Sequence, residues 1–279
     1  MTETKKYFLS IIMPSLNEEK NIRSAVKCTL EAFDDFKIGG EVIVVNDGST
    51  DRTSELVTGM MKSDDRISMI SHDTPQGIGA SFWDGVDNAR GETVSMFPGD
   101  NENEPGEILR YCELMNQVDM VVPFIYNKEV RSLSRNGLSF LYRFIINTTF
   151  GINLNYTNGT VMYRKTILKE LDYRNPGFFF QTDILIRLVK SGYLFAEVPC
   201  RLGIRNVGKS KAVSFPSLVE VAKGYLRLVK SCYGKGKSNG KIVNDTLTAK
   251  RYSDRGKPVL EKAPEFGELE TLSREPFRG

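Results

Sequence analysis

Histidine is almost missing from this chain: His72 is the only one in 279 residues. That excludes multi-histidine metal centres and argues against histidine-based triads, which need an imidazole beside a nucleophile. His72 itself reads as a structural residue. Cysteine is sparse as well. Cys28, Cys112, Cys200 and Cys232 are too scattered for a zinc cluster or a disulfide framework, and they read as buried free thiols of a reducing compartment. No apolar run reaches the roughly 18 residues that cross a bilayer. The segment Met1–Lys6 is polar and lacks the apolar centre of a secretion signal. A cytoplasmic protein, able to work at the cytoplasmic membrane face, is expected.

The net charge of +3 conceals a division. Residues 1–120 carry 11 Lys+Arg against 22 Asp+Glu, and the remainder carries 27 against 13. An acidic half suits a metal-assisted anion site; a basic half suits an anionic acceptor or membrane surface. Plain clustering of charge on solvated faces gives the same counts. No nucleic-acid-binding motif accompanies the basic half.

Strand-like and helix-like segments alternate through the first half. Tyr7–Pro14, Glu41–Asn46, Ile67–Ser71, Thr93–Phe97 and Val118–Pro123 read as strands. Helices are expected over about 18–36, 51–62, 80–90 and 105–115. This rhythm predicts an α/β fold with a mostly parallel sheet and helices on both faces. The second half is less regular. Thr160–Tyr163 and Tyr193–Val198 read as strands, and Phe178–Ser191 as a helix. Residues 1–214 are expected to form the main domain. Residues 215–233 follow as an amphipathic helix, with Leu218, Ala222, Tyr225 and Val229 on one stripe. That stripe suits either an anionic membrane interface or packing on the domain. Residues 234–279, rich in Gly, Lys, Ser and Pro, read as a mobile tail with little core of its own.

Three segments carry the chemistry. They are Pro14-Ser15-Leu16-Asn17-Glu18-Glu19, Asn46-Asp47-Gly48-Ser49-Thr50-Asp51 and Phe97-Pro98-Gly99-Asp100-Asn101-Glu102. Each leaves a strand-like run and breaks into a polar loop. In a parallel sheet such loops gather at the C-terminal strand ends, where open α/β sheets bind ligands. A crevice so acidic takes up a nucleoside diphosphate only with a divalent cation between the charges. Asp51 also has a plain reading as the cap of the following helix.

Together, in this order and spacing, the segments resemble family 2 glycosyltransferases of the GT-A fold, and most of all the polyprenyl-phosphate sugar synthases. The first is similar to the family's P-x-x-N-E-E opening and the second to its D-D-G-S-x-D loop. The third stands where the family has a metal-binding D-x-D, with Pro98 in place of the first aspartate. The resemblance covers about residues 7–211. It implies an inverting transfer of a sugar from a nucleotide-sugar donor to a polyprenyl phosphate. Pro14, Asn17, Glu18, Asn46, Asp47, Gly77, Gly79 and Asp100 would meet the donor, with Gln76-Gly77-Ile78-Gly79-Ala80 matching a G-x-G-x-A segment. Asp100 and Glu102 would hold Mg²⁺ or Mn²⁺, alternate residues of an extended loop pointing to one side.

Downstream, Arg131-Ser132-Leu133-Ser134-Arg135 resembles an R/K-x-x-S-R segment that precedes an interfacial helix. Residues 205–211 resemble a basic R-x-x-G-x-S-K loop. The resemblance therefore assigns Arg131, Arg135, Ser139, Arg205, Lys209 and Lys211 to the acceptor phosphate, and Arg135 to catalysis with Asp100. Asn155-Tyr156-Thr157-Asn158-Gly159 occupies the place of a D-x-T-x-G segment. Asp183 is read three ways: as a base for a hydroxyl acceptor, as a charge partner of an arginine, or as a helix-surface residue. The competing functions are transfer to a glycan hydroxyl with Asp183 as base, a sugar-1-phosphate nucleotidyltransferase, and a non-catalytic nucleotide-sugar-binding protein.

Overall fold

Leu9–Ser15 (β1) and Gly40–Asp47 (β2) are buried along their whole length. Strands covered on both faces read as unbroken apolar runs, and these two form the centre of a parallel sheet. The computed structural model describes residues 7–127, 133–201, 215–234 and 242–255. In it Ile67–His72 (β3), Thr93–Met96 (β4), Met120–Ile125 (β5), Met162–Arg164 (β6) and Phe195–Cys200 (β7) complete a seven-stranded sheet, ordered β3-β2-β1-β4-β6-β5-β7. Every pairing is parallel except those of β6, which runs antiparallel to β4 and β5. The expected mostly parallel α/β sheet is therefore present.

The helices are Ile22–Asp35 (α1), Thr53–Met61 (α2), Ile78–Asn88 (α3), Pro105–Leu109 (α4), Leu133–Phe150 (α5), Lys165–Lys169 (α6), Phe180–Lys190 (α7), Phe215–Tyr233 (α8) and Leu247–Asp254 (α9). Alternate side chains of β1 and β2 feed two cores, one on each face of the sheet. Ile12, Ile43 and Val45 pack with Phe82, Trp83 and Val86 of α3 and with Phe180 and Ile184 of α7. Ile11, Met13, Val42 and Val44 pack with Val26 and Phe33 of α1.

The connectivity decides where a site can form. From β1 the chain winds outward through β2 and β3, then crosses back to place β4 on the other side of β1. Adjacent loops after β1 and β4 thus diverge, and such a switch point leaves a crevice at the C-terminal strand ends. The ends of β2, β5 and β7 point to the same edge, and the chain entering antiparallel β6 comes in from it.

For the C-terminal helix, packing on the domain is the reading observed. Helix α8 rests on the domain: Leu228 is fully buried, Val221, Tyr225 and Val229 pack on the α3 and α7 core, and Gly224 meets Phe179. Ala222 and Leu226 instead face outward, while Leu218, Lys235, Lys237 and Lys241 lie outside the described side chains. Part of the supposed tail is also anchored. Asp119, fully buried at the start of β5, accepts hydrogen bonds from the first-turn amides of α9, Leu247 N and Thr248 N, each at 2.9 Å. Its carboxylate also accepts from the Thr248 hydroxyl and from Arg164 Nε at 3.1 Å. A carboxylate at a helix N-terminus is matched to the orphan amides and the positive dipole end.

Cutting this anchor should be costly. Asp119→Ala leaves Arg164 and the α9 amides without their buried acceptor, and a loss of about 3–5 kcal/mol is expected. Urea unfolding measures it, and hydrogen exchange should show the 247–250 amides released first.

Candidate active site

The loops after β1 and β2 hold each other through backbone amides. Asn17, at φ 57°, presents its side-chain oxygen to Thr50 N at 2.8 Å and Asp51 N at 3.3 Å. In return Ser49 Oγ accepts from Asn17 N at 3.0 Å, and Thr53 Oγ1 accepts from Glu18 N at 2.9 Å. Asp51 accepts from Glu19 N at 3.1 Å and from Thr53 N at 2.9 Å. Asp51 stands one residue before the N-cap Arg52 of α2 and accepts from Thr53 N, the first helical residue. Partial burial acts to raise its pKa, but the bonds from Thr53 and Glu19 outweigh that and hold the carboxyl below its ordinary value.

Asp47 is buried and its carboxylate is occupied by the protein. Oδ1 accepts from Gln76 N and faces His72 Nδ1, both at 2.7 Å, and Oδ2 accepts from Gly77 N at 2.9 Å. Asp47 thereby grips the loop that leads into α3. The glycines are explained in the same way. Gly77 has φ 100°, open to a residue without a side chain. A Cβ on Gly79 would lie 2.5 Å from Asn175 O, so this glycine admits the 175–176 backbone. The Ala80 amide at the start of α3 donates to Pro176 O at 3.1 Å and is not offered to a phosphate. Pro14 is buried in β1, its carbonyl accepting from Gly99 N at 3.0 Å, and Asn46 Oδ1 accepts from Ser49 N at 3.2 Å. Glu18, half-buried, accepts from Asn21 Nδ2 at 2.8 Å.

On the other side of β1 the loop after β4 forms a tight turn. Asn101 adopts φ 58°, and Glu102 N donates to Asp100 Oδ1 at 3.1 Å. The extended geometry expected between Asp100 and Glu102 is absent. The turn nevertheless brings both carboxylates to one cleft of about 180 Å³, shared with Pro98, Asn103, Tyr156, Asn158, Gly159 and Arg201. Among the described residues no group of three or more His, Cys, Asp and Glu is placed to hold a metal ion. Two carboxylates at a cleft still suit Mg²⁺ or Mn²⁺, which take the rest of their oxygen shell from substrate phosphate and water.

The far wall of the cleft is the 155–159 loop, and the helices pin it from behind. Thr182 Oγ1 bonds Asn158 Oδ1 at 2.7 Å and Tyr142 Oη at 2.8 Å, while Gln181 Nε2 donates to Gly159 O at 3.3 Å. Glu197 of β7 accepts from Asn155 N at 2.7 Å, and Arg143 donates to Asn155 O at 3.2 Å. No motif marked Tyr142, Thr182, Gln181 or Glu197. Their role depends on which helix faces the loop, and sequence spacing does not record that.

Asp183, one residue further along α7, does not line the cleft. It is 1 % exposed and paired with Arg187 Nε at 2.9 Å, and its second oxygen is buried without a hydrogen bond. Burial pushes its pKa up, and Arg187 offsets only part of that. Of its three readings, the charge partner is the one observed. Ser139 is half-buried on α5. Arg135 is placed only as a position in the first turn of that helix. Arg131, Arg205, Lys209 and Lys211 lie outside the described residues.

The family model for glycosyl transferase family 2 matches residues 10–172, more than half of the chain. The chain belongs to glycosyl transferase family 2. It is a glycosyltransferase of the GT-A type, and individual relatives match it over a longer stretch. An undecaprenyl-phosphate 4-deoxy-4-formamido-L-arabinose transferase of Edwardsiella ictaluri is 26 % identical over 206 residues, 73 % of this chain and 62 % of the relative. The chain thus spans less than two thirds of that protein. A polyprenol monophosphomannose synthase of Mycolicibacterium smegmatis is 28 % identical over 217 residues, covering 72 % of this chain and 79 % of the relative. Among solved structures, glucosyl-3-phosphoglycerate synthase from Mycobacterium tuberculosis, crystallised with Mn²⁺, uridine-diphosphate-glucose and phosphoglyceric acid, aligns with a TM-score of 0.59 at 19 % identity over 80 % of each chain. Another crystal of that enzyme holds Mg²⁺ and uridine-diphosphate. At this identity the likeness shows the fold, and the sheet seen here is that fold.

Two outcomes follow from the geometry. Asp183→Asn should keep most glycosyl-transfer activity, because the carboxylate does not reach the cleft. Its folded carboxyl binds a proton more tightly than the unfolded chain does, so its ionisation costs stability as pH rises above the ordinary value of 3.8. The stability of the wild type relative to Asp183→Asn should therefore fall between acid and neutral pH, as urea titrations would show. Gly79→Ala should lower thermal stability by about 1–3 kcal/mol through overpacking against Asn175 and Pro176, measurable by calorimetry without any ligand.

Proposed function

We propose that this glycosyltransferase moves a sugar, with inversion, from a metal-bound nucleotide-sugar donor to a polyprenyl phosphate at a membrane surface. The observation that carries the reading is the double character of α5. One side of this helix bonds the cleft wall through Tyr142 and Arg143. The other exposes Leu138, Phe140, Leu141, Phe144 and Ile145, each between 42 and 60 % accessible. Phe140 and Phe144 stack with ring centres 6.5 Å apart. A soluble protein rarely leaves so many large apolar residues together in water. A helix of this kind lies well in a lipid interface, next to the cleft that would receive a lipid-linked phosphate.

The acceptor chemistry agrees. A hydroxyl nucleophile needs a general base within reach; a phosphate is already an anion. Asp183, the carboxylate considered as base, is buried against Arg187. That favours the phosphate over a glycan hydroxyl.

In the reading proposed here, Asp100 and Glu102 would hold the divalent ion at the crevice edge, with diphosphate oxygens completing its shell. The ion would supply charge stabilisation for the departing nucleoside diphosphate. The clasped 17–19 and 49–53 loops and the 76–77 loop held by Asp47 would shape the donor side. Asn158, Gly159 and Arg201 would face the sugar and acceptor from the far wall, and Arg135 and Ser139 would sit on the helix that brings the acceptor in. The relatives named for polyprenyl-linked transfer support this assignment, and no membrane-crossing helix is present among the described residues.

A panel of labelled nucleotide sugars, offered with and without polyprenyl phosphate and with Mg²⁺, Mn²⁺ or chelator, tests the reading. Label should pass into the lipid phase only when both metal and polyprenyl phosphate are present. Asp100→Ala should fold normally and lose roughly 100- to 1,000-fold in turnover, the scale for removing one stabiliser of developing charge. Label appearing only in a water-soluble glycan would overturn the lipid acceptor. In flotation with anionic vesicles the wild type should bind, and Phe140→Ser/Phe144→Ser should bind much more weakly.

A further inference from the structure

The only histidine stands at a junction that the catalytic reading leaves unused. His72 is the last residue of β3 and is in register with Asp47, the last residue of β2. Its Nδ1 lies 2.7 Å from Asp47 Oδ1, and its Nε2 lies 3.0 Å from Asp84 Oδ2 on α3. The imidazole is 11 % exposed, Asp47 7 % and Asp84 49 % at the side chain, so the inner bond is dry and the outer one wet. From His72 the chain runs through residues 73–77 into α3. At the far end of that short loop the Gln76 and Gly77 amides return to the same Asp47. Midway, the loop backbone presses on the β2 turn: a Cβ on Gly48 would lie 2.8 Å from Pro75 N.

The loop is thus closed on one buried carboxylate, and His72 joins that carboxylate to the helix that follows. We infer that His72 is a positioning residue for the donor side of the active site, bracing Asp47 against Asp84 so that the 74–77 loop keeps one shape. The inference rests on the proposed function only in taking this loop as a wall of the donor site; the brace itself is independent of any ligand.

The physical reason is the acceptor surplus at Asp47. Its Oδ1 takes the Gln76 amide and the imidazole, and its Oδ2 takes the Gly77 amide. A buried carboxylate is costly unless such donors surround it. Without the ring, Asp47 keeps two amide donors and gains a water-sized gap on the third side. It is then free to swing, and the two amides swing with it. Asp84 orients the ring from the second nitrogen, as second-layer carboxylates orient imidazoles elsewhere. Asp84→Asn keeps a side chain that can bond Nε2 whichever way the ring is protonated, as either acceptor or donor, whereas Asp84→Ala removes it.

Hydrogen exchange on the full chain decides the matter. In His72→Ala the Gln76 and Gly77 amides should exchange about 10-fold faster, the loss of one strong hydrogen bond, while β1 and β2 amides keep their wild-type rates. Asp84→Ala should give a smaller rise at the same two amides, and Asp84→Asn should restore most of the protection. In the transfer assay, His72→Ala should raise the donor KM about 10-fold and leave kcat and acceptor KM within about twofold, the pattern of lost ground-state binding. Unchanged exchange at Gln76 and Gly77, or an equal rise throughout β1 and β2, would overturn the brace. Altered exchange with a donor KM that does not move would overturn its link to the donor. A protein with the exchange pattern but no transferase activity on any donor would strike at the proposed function and leave the brace standing.

Discussion

One buried carboxylate organises the donor side of the crevice. Asp47 ends β2, and it draws in the Gln76 and Gly77 amides and the only histidine. Parallel strands place their loops at one edge but do not hold them there. A loop in water has its backbone amides satisfied by solvent and gains little from order. Once Asp47 is buried it needs donors, and the 74–77 loop supplies them from its own backbone. The cost of the buried charge and the entropy of the loop are settled by the same set of bonds. Asn17 works likewise between the first two loops, its single amide oxygen meeting two successive backbone donors. The donor-side loops are therefore tied by the protein's own bonds, the 17–19 loop to 49–53 and the 76–77 loop to Asp47.

This arrangement explains what the sequence showed and what it hid. The strands were legible because buried parallel strands are mostly apolar, and Ile11-Ile12-Met13 and Val42-Ile43-Val44-Val45 leave no other reading. The motifs were legible as places, since polar loops after parallel strands share one edge. The roles within them were not. Asn17, Asp47, Gly77 and Gly79 were read as meeting the donor; in the fold Asn17 and Asp47 accept from backbone amides, Gly77 N donates to Asp47, and Gly79 makes room for the 175–176 backbone. A motif records that a residue type is required at a position; it does not say whether the ligand or the neighbouring loop requires it. Gly79 illustrates the difficulty. Its missing Cβ makes room for Asn175 and Pro176, nearly a hundred residues away, and no local pattern carries that contact. The same holds for α9. A segment of Thr, Ala, Lys and Arg has little core of its own, and it is ordered because Asp119 is waiting at the start of β5.

The unequal distribution of charge acquires a meaning from the fold. The acidic first half contributes β1 to β4 and their loops, including the Asp100–Glu102 turn. The wall opposite is built from the second half, and its polar contacts are neutral or basic: Asn158, Gly159 and Arg201. A negative donor side needs a cation to receive a diphosphate, and a neutral-to-basic acceptor side can admit an anionic nucleophile without one. In the proposed reaction two anions would meet at one carbon, and these opposite fields across a narrow cleft would serve them.

That asymmetry also bears on the catalytic base. In a site where the nucleophile arrives protonated, a carboxylate must stand at the acceptor side, exposed to the cleft and near the reacting oxygen. The residue in the expected stretch of sequence, Asp183, is turned inward, and Arg187 and the α8 side of the molecule hold it there. Its neighbours Gln181 and Thr182 face the cleft wall and support it by hydrogen bonds without offering a base. One turn of helix α7 therefore separates two jobs: its polar amide and hydroxyl shape the acceptor wall, and its carboxylate ties the helix to the core. This arrangement supports the proposed phosphate acceptor, which needs no deprotonation. Helix α5 bonds the same wall through Tyr142 and Arg143, and its apolar outer face would suit an acceptor whose remaining bulk stays in lipid.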